Sequence, residues 1–167
     1  MSKRSLHWLF LLLLALGAAF VLATSGALPA SIATHFGAAG RPDAYMTRAG
    51  YQLYMLLMSV GFPVLLVGAI GWLPRRFPRH INLPHRDYWM APERREQTLA
   101  LLARRALWLG CAVVVFVCAM HWLLLSANRS TPPQLPVAPF LVLLAGFLGF
   151  IAIWGIALHR AFRKDTA

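Results

Sequence analysis

The chain has 167 residues, of which 59% are hydrophobic and only 13% charged, and its mean hydropathy is +0.63. A soluble domain carries about a quarter charged residues, so an ordinary water-facing globule is excluded, and so is a disordered chain. The net charge of +11 would suggest nucleic acid in a soluble protein. In a membrane protein, Lys and Arg instead mark orientation.

A helix that crosses the hydrocarbon needs about 20 mostly apolar residues. Four stretches qualify, over about 6–28, 51–73, 106–127 and 137–158, and none has Asp, Glu, Lys or Arg in its interior. The first follows Lys3 and Arg4 and includes Leu11 to Leu14. Ala23, Ser25 and Ala27 could form a signal-peptide cleavage site. The apolar run, however, exceeds the roughly 7–15 residues of a signal-peptide core, so a retained helix is the better reading. The second span carries Gly61, Gly68 and Gly71, with a kink expected at Pro63. In the third, Cys111 and Cys118 lie about 10 Å apart along one helix. They cannot pair with each other and read as small packing residues. The fourth has Ala145 and Gly149 at small-xxx-small spacing, with Gly146 and Gly155 nearby, a pattern that lets helices approach closely in lipid. The expected fold is all-α: one four-span domain forming an integral membrane four-helix bundle. Homo-oligomer contacts through the glycine faces are an equal possibility.

Orientation follows from the 16 basic residues. The tails hold Lys3, Arg4, Arg160, Arg163 and Lys164, and the loop 74–105 holds Arg75, Arg76, Arg79, Arg86, Arg94, Arg95, Arg104 and Arg105. The remaining loops hold only Arg41, Arg48 and Arg129, a division of 13 against 3. The positive-inside bias then places both termini and the loop 74–105 in the cytoplasm. This accounts for the charge without nucleic acid, and the basic loop is free to touch anionic lipid.

The outer loop, 29–50, has 22 residues where about five would connect two spans. Pro29 ends the first helix, and Gly40-Arg41-Pro42-Asp43 is turn chemistry. Ile32, Phe36 and Tyr45 are suited to dip into the interface while His35 and Asp43 stay polar. The run Leu28-Pro29, Ile32, His35-Phe36, Gly40 and Pro42-Asp43, directly after a first span, resembles a bacterial domain-of-unknown-function membrane family that includes SdpI-type immunity proteins. Members of that family typically have Gly and an aromatic after Pro-Asp, and often Asn after His-Phe; this chain has Ala44-Tyr45 and Gly37. The likeness covers about the first third of the chain. It implies a multi-pass protein of the bacterial inner membrane, tied in one branch of the family to immunity against a secreted membrane-active toxin and to signalling.

His35 and Asp43 are the titratable side chains at the centre of this loop, and His121 near the outer end of the third span is a possible third ligand from the same side. Three ligands are the minimum for a metal site. The plainer expectation is that His35 bonds loop backbone, Asp43 caps a turn and His121 reaches the head groups. An intermediate reading makes the loop a contact surface for a ligand or partner.

The loop 74–105 is basic and punctuated by Pro74, Pro78, Pro84 and Pro92. Pro92, with Glu93 and Glu96 close behind it, suits the first turn of a helix. Leu99, Leu102, Ala103 and Ala106 follow at helical spacing, so the third helix is predicted to begin near Pro92, well before the membrane. Tyr88 and Trp89, beside Asp87, fit an interfacial aromatic belt, and Glu93, Arg94, Arg95 and Glu96 are placed to pair with one another or with a partner. The loop reads as a structural elbow or as a docking surface.

The sequence shows no nucleophile–base pair, phosphate loop, dinucleotide fingerprint or haem motif. The expectation is therefore a non-enzymatic, cofactor-free membrane protein of the immunity or sensor type, with membrane lipid as a partner and a membrane protein or a second copy as the candidate protein partner. The alternatives are an accessory subunit of a larger complex and a small metal-dependent enzyme built on His35, Asp43 and His121.

Overall fold

The computed structural model describes residues 3–163. Lys164 and the side chain of Lys3, both counted with the basic tails, lie outside the described residues. The protein is a four-helix bundle of α1 (Lys3–Ser25), α2 (Arg48–Arg76), α3 (Pro92–Arg129) and α4 (Val137–Ala161). All four helices are long and apolar enough to cross a membrane. The start of α1, the end of α4 and the elbow between α2 and α3 lie at one end of the bundle, and the connections 26–47 and 130–136 lie at the other.

Helix α3 has 38 residues, which at about 1.5 Å each makes it roughly 57 Å long, nearly twice the hydrocarbon thickness. It starts at Pro92, as the sequence predicts, where the missing N–H costs nothing. Helix α2 is continuous but twice opens into a wider turn, at Leu57–Gly61 and Gly68–Trp72. There Phe62 and Leu73 bond back five residues, to the carbonyls of Leu57 and Gly68. Each wide turn ends two residues before a proline, Pro63 or Pro74, whose ring clashes with the carbonyl four residues earlier and forces the ladder open. The kink expected at Pro63 takes this form.

The best-packed seam joins α1 to α3. Leu6, Phe10 and Leu14 recur every fourth residue on α1 and bury against Leu107, Cys111 and Val114 of α3. Cys111 is buried, Cys118 half-buried, and both are free thiols in packing positions. Gly110 makes the approach possible: a Cβ there would stand 2.5 Å from Val67 Cγ2 and 2.8 Å from the Phe10 ring. At the other end of the bundle, Val21, Leu28, Tyr51, Met55 and Leu125 form a second cluster around Ile32.

Helix α4 is held differently. It buries no residue and leans on α3 through a Phe116–Phe147 stack at 4.2 Å and a hydrogen bond from Trp154 Nε1 to Arg105 O at 3.0 Å. These large side chains keep the backbones apart, so Gly146, Gly149 and Gly155 meet no atom within 4 Å of where a Cβ would be. The small-residue face therefore does not pack within the chain. Between α1, α3 and α4 it leaves an apolar cleft of about 570 Å³.

The largest departure from expectation is the connection 29–50, which is an antiparallel hairpin of β1 (Ser31–Phe36) and β2 (Pro42–Thr47). Its turn runs through Gly37–Arg41, beginning three residues before the Gly40-Arg41-Pro42-Asp43 suggested, with Gly37 N–H donating to Arg41 O and Gly40 N–H to Gly37 O; Pro42 and Asp43 belong to β2. Gly40 has φ +72° and a Cβ there would lie 2.6 Å from Leu135 O, so only glycine fits.

Candidate functional site

The hairpin is fixed to the bundle by a side chain that stands in for a third strand. Asn128, in the last turn of α3, accepts from Ala33 N–H and donates to Ala33 O, both at 2.9 Å. Its amide also donates to Leu124 O at 2.9 Å, which holds it in place. The inner edge of β1 is thereby paired. Ile32 and Ala33 are both fully buried, one against Val21 and Tyr51, the other beneath Asn128. Leu135 N–H donates to Gly40 O at 3.0 Å, and Arg48 N–H donates to Ala30 O at 3.1 Å. Both ends of the hairpin are therefore tied down.

On this fixed base the register is interrupted twice. Ala33 faces Tyr45 while His35 faces Ala44, so Thr34 is an extra residue in β1. Phe36 then faces Pro42, so Asp43 is an extra residue in β2. A bulge re-aims the side chains beside it, and two on opposite strands bring His35 and Asp43 together. His35 Nδ1 donates to Asp43 Oδ1 at 2.5 Å, with the two side chains 73% and 51% exposed. The expected bond from His35 to backbone gives way to this pair. Phe36 packs inward against the Leu123–Ala127–Leu135 cluster, Pro42 is half-buried, and Pro29 and Tyr45 are exposed.

His121 does not reach the head groups. It is fully buried between α1, α2 and α3, because two partners distant in sequence satisfy it there. Thr24 Oγ1 donates its only proton to Phe20 O at 2.7 Å, so toward His121 Nε2, also at 2.7 Å, it must accept. Nε2 therefore carries the proton, and Nδ1 accepts from the Tyr51 hydroxyl at 2.7 Å. The Tyr51 ring stacks on the imidazole at 5.6 Å and Phe20 meets it edge-on at 5.1 Å. The result is a directed chain, Tyr51 to His121 to Thr24 to Phe20 O, around a neutral ring. His121 is thus separated from the exposed His35–Asp43 pair, and the three-ligand grouping does not form. Among the described residues no group of three or more His, Cys, Asp or Glu side chains is arranged to hold a metal.

The elbow at the opposite end is also more ordered than a connector. His85 takes a left-handed conformation, φ 52°, and opens a single helical turn, Arg86–Trp89. Trp89 is bonded within the chain. Its Nε1 donates to Phe162 O at 3.1 Å, while Thr98 Oγ1 donates to Trp89 O at 2.9 Å, so it joins the ends of α3 and α4. Arg94 lies over the Tyr88 ring at 4.1 Å. Glu96 pairs with Arg75 of α2 at 3.2 Å, and Asp87 with Arg86 at 3.3 Å. The Glu and Arg residues of 93–96 thus do not pair with one another. Pro84 and Glu93 are exposed.

The model of a domain of unknown function, DUF1648, matches residues 10–59. No curated protein and no solved structure matches the chain. The matched segment contains most of α1, the hairpin and the start of α2, hence Thr24, His35, Asp43 and Tyr51, but neither His121 nor Asn128. The protein is a membrane-spanning chain whose first third matches a family of unassigned biochemical function.

Sequence reasoning missed Thr24, Tyr51 and Asn128 as partners. The signal available was weak: each is a polar side chain within a turn or so of the end of an apolar helix, where a hydrogen-bonding group needs a partner.

Proposed function

We propose that this chain is a non-enzymatic protein of the bacterial inner membrane, of the SdpI-like immunity or sensor type, that recognises an extracytoplasmic factor through residues 29–50. The observation that carries this reading is the exposed His35–Asp43 pair held on a hairpin whose base is buried and bonded to α3. A connector has no need of two compensating bulges that aim two polar side chains at one another. Preorganised loops that display polar groups on a rigid scaffold are how folds commonly carry recognition. The charge division supports the orientation, since the hairpin end holds 3 of the 16 basic residues. The resemblance of Leu28-Pro29 through Asp43 to SdpI-type proteins supports the immunity branch.

The test is survival. A susceptible bacterium expressing the chain is challenged with secreted membrane-active toxins. Wild type is expected to protect against at least one of them, and His35→Ala with Asp43→Ala to abolish protection at unchanged membrane abundance. Equal survival with and without the protein across the panel would overturn the immunity reading.

The open glycine face of α4 favours a second reading, in which the chain also packs against another membrane helix, either in a larger complex or in a second copy. Close approach at Gly146 and Gly149 is the contact such packing uses.

A further inference from the structure

We propose that the cleft beneath the elbow binds a phosphate group through Arg79, Arg86 and Arg95. The cleft has a volume of about 310 Å³ and is lined by Pro78, Arg79, Arg86, Asp87, Met90 and Arg95. Arg86 is fixed in position: its guanidinium donates to Arg79 O at 2.8 Å and to Asp87 Oδ1 at 3.3 Å. Asp87 balances one of the three positive charges and leaves two in excess.

The neighbouring cations are already engaged. Arg75 is paired with Glu96, and Arg94 lies over the Tyr88 ring. Arg79 and Arg95 are different, because among the described residues neither side chain has an acceptor. Arg95 Nε is in addition buried and unsatisfied. A buried donor without a partner is costly, more so when charged, and a multi-oxygen anion supplies acceptors to both guanidinium groups at once. Pro78 and Met90 give the same cleft an apolar wall, which free inorganic phosphate does not use and the acyl chain of a lipid does.

The chemistry is therefore phosphate recognition, with two sources: the phosphodiester of an anionic lipid, or phosphate from solution. Basic pockets at the ends of membrane helices take anionic head groups by this means. The inference does not rest on the hairpin's role.

The full-length protein in dodecylmaltoside is titrated with phosphatidylglycerol and, separately, with inorganic phosphate, and followed by native mass spectrometry and thermal unfolding. Phosphatidylglycerol is expected to bind wild type and raise its Tm. The Arg79→Gln/Arg95→Gln variant is expected to bind it about tenfold or more weakly. Arg104→Gln/Arg160→Gln removes the same charge outside the cleft and is expected to stay within about twofold of wild type. Binding of inorganic phosphate that depends on Arg79 and Arg95, without binding of phosphatidylglycerol, assigns the site to the soluble anion. Equal loss in the two double variants, or loss in neither, overturns the site. Arg79→Gln alone, at an exposed position, gives the same readout if the double variant does not fold.

Discussion

His121 is fully buried and bonded at both ring nitrogens. Its two nitrogens have different partners, and the proton on Nε2 is fixed by a threonine that has already spent its own on Phe20 O. Tyr51→Phe removes the donor to Nδ1 and should cost about 1 kcal/mol, within the span measured for hydrogen bonds inside membrane proteins. His121→Leu strands the Tyr51 hydroxyl in an apolar site and should cost about 2 kcal/mol. Unfolding in mixed micelles with rising dodecyl sulfate measures both. Nitrogen-15 spectra of the imidazole should show the proton on Nε2, and a signal from a proton on Nδ1 would overturn the direction of the chain. From sequence, His121 looked interfacial because it lies near the end of an apolar run. Its partners Thr24 and Tyr51 are 97 and 70 residues away, and no local pattern announces contacts at that separation. His35 and Asp43, eight residues apart, were legible as the titratable side chains of the outer loop, but their bond to each other was not, because it depends on the two bulges.

Among the elements, the helices were legible and the hairpin was not. Hydropathy alone finds four spans, since backbone groups in lipid must be satisfied within the helix, and Pro92 marks the start of α3 by its fixed φ. In the hairpin, the extra residues Thr34 and Asp43 break the period-two alternation by which a strand is recognised. Glycines show the same contrast between pattern and packing. Gly110 and Gly149 each stand four residues after an alanine, Ala106 and Ala145, yet a Cβ at Gly110 would run into Val67 of α2 and Phe10 of α1, whereas one at Gly149 would meet nothing within 4 Å. Gly110→Ala should therefore destabilise the fold by about 1–3 kcal/mol, as an overpacked core does. Gly149→Leu should leave monomer stability unchanged and, if α4 meets another helix there, shift the mass observed in native detergent electrophoresis. A stable Gly110→Ala protein would show that α1 and α3 can move apart.

At the scale of the whole molecule, the charge division gives the bundle two unlike ends. In a background with Cys111 and Cys118 replaced by Ala, Ala38→Cys in the hairpin turn should react with an impermeant maleimide in intact cells. Asn82→Cys in the elbow should react only after permeabilisation; the reverse pattern would invert the proposed orientation. Both positions are exposed, so accessibility reports side rather than burial.

The two long central helices also differ in continuity. In helix α2 the two wide turns each break the regular ladder. Helix α3 is an uninterrupted spar with Asn128 near one end and Arg95 near the other, about 50 Å apart at a helical rise. Hairpin and elbow are therefore joined through Asn128 and α3 by one unbroken hydrogen-bonded ladder, whereas the ladder of α2 between the same two ends is interrupted twice.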